Sequence, residues 1–108
     1  MQTKKIIDLA RVIRSKNAGP FELTLDIIFN DHDTFDRVKQ SRVFSSKLFA
    51  DLYGIPEKDV LVFCFFDAAC AIKATITRPV SSGAAGDHDV FGAQQHAPLL
   101  DIEIPWGE

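Results

Sequence analysis

Residues 14–20 carry side chains that suit the binding of an anion. The segment reads RSKNAGP, so it offers two cations, a hydroxyl and an amide within four residues, followed by a glycine. Charged donors next to accessible backbone N–H groups are a common way to hold a carboxylate or a phosphate. No phosphate-loop pattern is present, and the alternative is a basic hairpin loop in water. The candidate ligand-binding residues of this predicted loop are Arg14, Ser15, Lys16 and Asn17.

Residues 78–99, RPVSSGAAGDHDVFGAQQHAPL, form the second polar segment. Loops longer than about 12–15 residues are uncommon in compact domains and are usually functional or disordered. Val90 and Phe91 need burial, so we predict a functional loop over 79–98 that contacts a partner subunit, a ligand or both. Its candidate ligand-binding residues are Arg78, Asp89, Gln94 and Gln95. Its candidate acid/base residues are His96 and Asp87, a role that requires an enclosed pocket.

The sequence gives less support to metal binding and thiol chemistry than to anion binding. Asp87, His88 and Asp89 are adjacent, and neighbouring residues of an extended chain point in opposite directions, so at most two of them could face one ion without a special turn. His96 could complete a set of ligands if the loop folds back, but histidines in loops are mostly solvated. We therefore predict no metal and no cofactor. Cys64 and Cys70 stand among apolar residues, where a free cysteine behaves as a small hydrophobic residue.

Composition limits the classes of protein to which the chain can belong. Its 108 residues suit one domain, residues 1–108, and 46% of them are hydrophobic, which argues against disorder. A net charge of −3 argues against nucleic-acid binding. No apolar run approaches the roughly 20 residues that span a bilayer, and the first residues make a poor signal peptide. These features predict a cytoplasmic protein that binds neither nucleic acid nor membrane.

Strands flank a helical segment in the predicted order of elements. Residues 21–29, FELTLDIIF, alternate between apolar and polar and predict a half-buried strand. Residues 6–14 favour a strand over a short uncapped helix, and 72–77 and 98–105 also alternate. The continuous apolar run 59–66, DVLVFCFF, predicts a central strand with both faces covered. The stretch DAACA that follows leads into the next strand, and an alternative prediction for it is a short helix.

Two helices are predicted between residues 30 and 54, where the hydrophobic period changes. The candidate N-cap residues are Asn30, Asp31 or Asp33 for the first helix and Ser45 or Ser46 for the second. Gly54 then ends the second helix, and Pro56 prevents its continuation. The whole pattern predicts an α+β fold: a single-layer mixed or antiparallel sheet of about five strands with two helices on one face, a ferredoxin-like variant.

Two stretches, IRSKNAGPFELTLDIIF and TRPVSSGAAGDHDVFGAQQHAPLLDIEIP, resemble the domain-of-unknown-function family 4387 over nearly the whole chain. A fainter resemblance links the chain to the C-terminal ferredoxin-fold domain of the acyclic terpene utilisation A family. It is carried by an Arg-Ser pair, a basic residue and a glycine in the first polar segment, by Arg78 at a strand end, and by the final strand LLDIEI. In this chain, Asn17 and Ala18 replace a charged pair of that family.

The fainter resemblance implies a small partner of a larger protein of the acyclic-terpene-utilisation type, linked to organic-acid or acyl-CoA catabolism. We therefore expect an accessory subunit or interaction module with little activity alone, forming homo- or hetero-oligomers. Its two polar loops would hold an anionic group. Two alternatives stay open: a small lyase or hydratase acting on a carboxylate or acyl-CoA substrate, and a purely structural oligomerisation domain.

Overall fold

A computed structural model describes residues 2–19, 21–77 and 97–107. Its helices and strands, in chain order, are β1 (Thr3–Lys5), α1 (Ile6–Leu9), β2 (Ala10–Gly19), β3 (Glu22–Phe29), α2 (His32–Gln40), α3 (Ser46–Tyr53), β4 (Val60–Phe66), β5 (Ala71–Thr77) and β6 (Glu103–Pro105). Short 3-10 turns cover Glu57–Asp59, Asp67–Ala69 and Ala97–Leu99. In these ranges, no helix is long and apolar enough to cross a membrane.

Four strands form the main sheet in the order β2-β3-β5-β4, and every pair is antiparallel. The predicted α+β class is confirmed. The last predicted strand forms a separate two-stranded ribbon with β1, in which Lys4 pairs with Ile104, so the main sheet has four strands rather than about five. Ile104 is fully buried, so the ribbon still contributes to the core. The two helices follow the β2–β3 hairpin and precede the β4–β5 hairpin.

Both predicted helices are present, and two of the candidate caps are observed. The Asp31 carboxylate accepts a hydrogen bond from the backbone N–H of Thr34 at 2.8 Å. The Ser45 hydroxyl accepts one from the backbone N–H of Leu48 at 3.1 Å. These bonds satisfy N–H groups that a helix start leaves without intrahelical partners. Gly54 ends α3 in the left-handed conformation, with φ at 65°, as the sequence predicts.

One face of the main sheet packs against the helices and forms the core. Leu23, Leu25 and Ile27 of β3 are buried on this inner face, as the alternating pattern predicts. Aromatic rings join this face to the helices. The ring centres of Phe35 in α2 and Phe65 in β4 are 6.2 Å apart, and those of Phe49 in α3 and Phe63 in β4 are 5.8 Å apart. Edge-to-face and tilted ring pairs of this kind add to the stabilisation from burial alone.

The first predicted strand differs from the structure at both ends. Residues Ile6–Leu9 form one helical turn that places Ile6 in the core, and the strand begins at Ala10. It then continues to Gly19, through the segment that the sequence predicts as a loop. Pairing with β3 explains this extension, because it supplies backbone hydrogen bonds along almost all of β2. The register shifts once near each end of the strand.

Strand β4 lies at an edge of the main sheet, so the prediction of a covered central strand is wrong. Its inner residues, Phe63 and Phe65, pack against the core. Leu61, Val62 and Phe66 are between 47% and 49% exposed. The error has a physical cause: a continuous apolar run indicates two apolar faces but not what covers them. Residues Asp67–Ala69 of the ambiguous stretch form a 3-10 turn, close to its alternative reading as a short helix.

Candidate functional site

A row of charged side chains crosses the sheet on the face opposite the helices, which we call the outer face. Backbone pairing places Arg14 of β2 opposite Asp26 of β3, Asp26 opposite Lys73 of β5, and Lys73 opposite Cys64 of β4. The Arg14 Nε donates a hydrogen bond to Asp26 Oδ2 at 3.1 Å. Lys73 Nζ lies 3.5 Å from Asp26 Oδ1. The sheet register thus places one carboxylate between two cations.

Asp26 is buried although it lies on the polar face of its strand. Its side chain is 1% exposed, whereas those of Arg14 and Lys73 are 52% and 38% exposed. A buried carboxylate is costly unless it is paired and hydrogen-bonded. Asp26 Oδ2 has the Arg14 hydrogen bond, but Oδ1 has none among the described residues, so Lys73 reaches it as an ion pair only. The partly exposed cations therefore carry one positive charge more than Asp26 neutralises.

Lys73 is held from two sides. On one side is the Asp26 carboxylate, 3.5 Å away. On the other side, its ammonium lies 6.0 Å from the ring centre of Phe66, at the outer limit of a cation–π contact.

On the next row of the outer face, Lys16 pairs with Thr24, and Thr24 with Thr75. The hydroxyl oxygens of the two threonines are 3.2 Å apart and share a hydrogen bond. Lys16 is exposed, so a third cation lies one row from the Arg14–Asp26–Lys73 cluster.

The structure separates the four predicted residues of the first polar segment into two pairs. Because successive side chains of a strand point to opposite faces, Arg14 and Lys16 lie on the outer face. Ser15 and Asn17 pair with Leu25 and Leu23 and lie on the inner face, where Ser15 is buried. The expectation of one loop that presents all four side chains is therefore wrong. The segment is a strand: Arg14 belongs to the charged row, and Lys16 lies one row away on the same face.

The candidates of the second polar segment lie outside the described residues. They are Arg78, Asp87, Asp89, Gln94, Gln95 and His96. The lyase or hydratase alternative depends on two of them as acid and base. It therefore stays a prediction, as does the functional loop itself.

Asp26 and Lys73 are not among the candidate site residues that the sequence predicts. Both stand at polar positions of alternating strands, which by themselves indicate a solvent-facing residue and not a site. A signal existed, because aspartate is depleted in strand interiors and Asp26 stands in the middle of one. The register that joins it to Arg14 and Lys73 depends on which strands are neighbours. That arrangement is visible only in the folded chain.

Other groups that could do chemistry are dispersed in the part of the chain that the structure describes. No three His, Cys, Asp or Glu side chains there are grouped so as to hold a metal ion. Both cysteines are free thiols: Cys70 is buried, and Cys64 is half-buried.

Two groups with shifted pKa values lie on the helices and not in the charged row. Hydrogen bonds from Thr34 lower the pKa of the Asp31 carboxyl at the start of α2. Burial raises the pKa of the Tyr53 phenol at the end of α3.

The chain matches the family described as a domain of unknown function, DUF4387, over residues 6–103. It belongs to this family. The match includes all four strands of the main sheet and therefore every residue of the charged row. No curated protein and no solved structure matches the chain.

Proposed function

We propose that this chain is an accessory subunit or interaction module whose outer face holds an anionic group, a carboxylate or a phosphate. The observation that supports the proposal is the pairing of Arg14 and Lys73 with a single buried carboxylate, Asp26. Two cations share one negative charge there, and both keep a large exposed fraction. Lys16, one row away, adds a third positive charge to the same face.

Asp26 acts in this proposal as a positioning residue. It holds the guanidinium of Arg14 through Nε, and four of the five guanidinium N–H donors remain on the terminal nitrogens. Holding the cations in place before the anion arrives reduces the entropy lost on binding. The Arg14 fork suits a planar carboxylate or a phosphate, and the Lys73 ammonium adds a point charge.

The setting that we propose is a cytoplasmic complex with a larger protein of organic-acid or acyl-CoA catabolism. This part of the proposal comes from the sequence resemblance to the acyclic terpene utilisation A family, as does the ferredoxin-like relationship of the fold. The partial exposure of the Arg14 and Lys73 side chains is compatible with it. In this arrangement, the larger protein performs the chemistry and this chain binds an anionic part of the partner or of its substrate.

Calorimetric titration with acetyl-CoA and with malate, as representative anions, tests the proposal. We expect saturable binding that weakens as salt increases, because the contacts are electrostatic. K73M should weaken binding about tenfold or more, which corresponds to the loss of one charge-assisted contact. K47M is the matched control, because Lys47 is an exposed lysine of α3 that pairs with Asp51.

The same variants test the partner. A tagged chain should retain one stoichiometric larger protein from native extract, and K73M should lose it while K47M retains it. Equal capture by both variants, together with no binding of either anion, would contradict the proposed role of the outer face.

A further inference from the structure

Strand β4 is an edge with little of the usual protection against pairing with another chain, because its one register shift lies next to Leu61, near the start of the strand. Its sequence, VLVFCFF, contains no charged residue and no proline. Edge strands usually carry charges, prolines or irregular pairing, which discourage a further strand from adding. The opposite edge, β2, has such features: Arg11, Arg14 and Lys16 are exposed on it, and its register is interrupted twice. Among the described residues, no strand pairs with the outer edge of β4.

Charge matching indicates which strand can add to this edge. An added strand must cover Val62 and Phe66, which are 49% and 48% exposed, and a charged residue placed against them would lose its hydration without a partner. Every other described strand carries at least one charged residue, and β4 carries none. The strand that fits best is therefore a second β4. We propose that two copies of this chain pair through β4, joining their main sheets into one antiparallel sheet.

The register of this pairing follows from the faces and charges of the strand. Antiparallel pairing about a two-fold axis must place outer residues opposite outer residues. Centring the axis on Phe63 would place Asp59 opposite Asp67 of the other copy and would include the irregular pairing next to Leu61. Centring the axis on Cys64 avoids both the Asp59–Asp67 pair and the irregular pairing next to Leu61. The geometry therefore assigns the register in which the two Cys64 residues lie opposite each other.

In the assigned register, Val62 faces Phe66 of the second copy and Phe63 faces Phe65. These are apolar and aromatic cross-strand pairs, which stabilise antiparallel sheets. The charged row then continues from one copy into the other, since Cys64 lies opposite Lys73 within each chain. The two Lys73 residues would be separated by three strand spacings, about 14 Å. This inference is independent of the anion proposal, because it depends on the uncharged edge and not on the cations.

Sedimentation and thiol cross-linking of the full chain test the pairing. We expect a dimer of twice the 12.0 kDa mass of the chain. Directly opposed Cys64 residues would have Cα atoms within the range that a disulfide spans, so mild oxidation with diamide should yield a covalent dimer. C64S should abolish the covalent dimer and leave the dimer seen by sedimentation. A wild-type protein that sediments as a monomer at all concentrations, or a dimer that diamide cannot cross-link, would overturn the proposal.

Charged variants test the register. V62K should raise the dissociation constant of the dimer about tenfold or more, because it places a charge against Phe66 of the second copy. V62K/F66E should recover most of the lost affinity, because the introduced lysine and glutamate face each other across the interface. F21K is the matched control, because Phe21 is 58% exposed and lies outside β4. Equal weakening by V62K and F21K, or no recovery in the double variant, would refute the register. K73M should leave the dimer intact, which separates this test from that of the anion site.

Discussion

Arg14 and Asp26 face each other across strands β2 and β3, and the guanidinium Nε lies 3.1 Å from the carboxylate. The two partners differ greatly in exposure: the arginine side chain is 52% exposed and the aspartate 1%. Lys73, on the other side of Asp26, is also partly exposed. This asymmetry determines what happens when either partner is removed, since an exposed cation can be solvated by water and a buried carboxylate cannot.

We predict that removing both cations destabilises the fold more than removing the carboxylate. R14M/K73M leaves Asp26 buried without a counter-ion, a situation that costs about 3 kcal/mol of unfolding free energy or more. D26L leaves two cations that water can hydrate, and we expect a cost of about 1 kcal/mol. Urea denaturation of the three proteins measures the difference. The triple variant R14M/D26L/K73M should be more stable than R14M/K73M, and a triple variant that is less stable would contradict this account.

Removing the cap of α3 should destabilise the fold by about 1 kcal/mol, because S45A leaves the backbone N–H of Leu48 without the hydroxyl acceptor at 3.1 Å. S46A is the control, since Ser46 is the first residue of the helix and its substitution should change the unfolding free energy by less than about 0.5 kcal/mol. Thermal or urea denaturation of both variants provides the comparison. Equal losses in the two would show that the Ser45 hydroxyl is not the group that matters.

Acidification should remove a stabilising contribution of Asp31. Its hydrogen bonds with Thr34 lower its pKa below the ordinary aspartate value of 3.8, so the folded state favours the ionised form. The contribution is therefore complete above the unfolded-state pKa and is lost as the pH falls through the lower folded-state pKa. D31N keeps a capping oxygen and does not titrate. The stability difference between wild type and D31N should shift in favour of D31N below pH 3.8, and a difference independent of pH would contradict the prediction.

Replacing Gly54 should cost stability through the backbone alone. The residue has a φ of 65°, and a Cβ atom there would meet no neighbouring atom within 4 Å. Left-handed conformation is unfavourable for residues other than glycine and less so for asparagine. We expect G54A to lower the unfolding free energy by about 1 kcal/mol and G54N to lower it less. Chemical denaturation that gave equal stability for wild type and G54A would show that the helix end adapts.

The sequence predicts most local structure here because that structure depends on near neighbours. Asp31, Ser45 and Gly54 mark their helix ends through contacts within a few residues, and the alternation of Leu23, Leu25 and Ile27 marks a half-buried strand. Strand order depends on distant contacts, so the edge position of β4 was not predicted. The last strand could be recognised, but its pairing with β1 could not.

The candidate site was predictable only in part. Arg14 and Lys16 were identified by type, and they lie on the outer face because the segment is a strand. Ser15 and Asn17 were identified by the same reasoning and point the other way, because alternation in a strand separates neighbours that a loop can bring together. Asp26 and Lys73 came into the site through pairing between strands that are far apart in the sequence.

The ribbon of β1 and β6 has a mechanical consequence. Thr3 pairs with Pro105 in this antiparallel ribbon. The first and last residues of the described chain therefore lie side by side, at the same end of the ribbon. A force that pulls the two ends of the described chain apart would load these pairs one at a time, because hydrogen bonds of an antiparallel ladder lie perpendicular to the strands. Under tension the ribbon should therefore open from the hydrogen bond between the Trp106 N–H and the Gln2 carbonyl inward, before the four-stranded sheet bears any load.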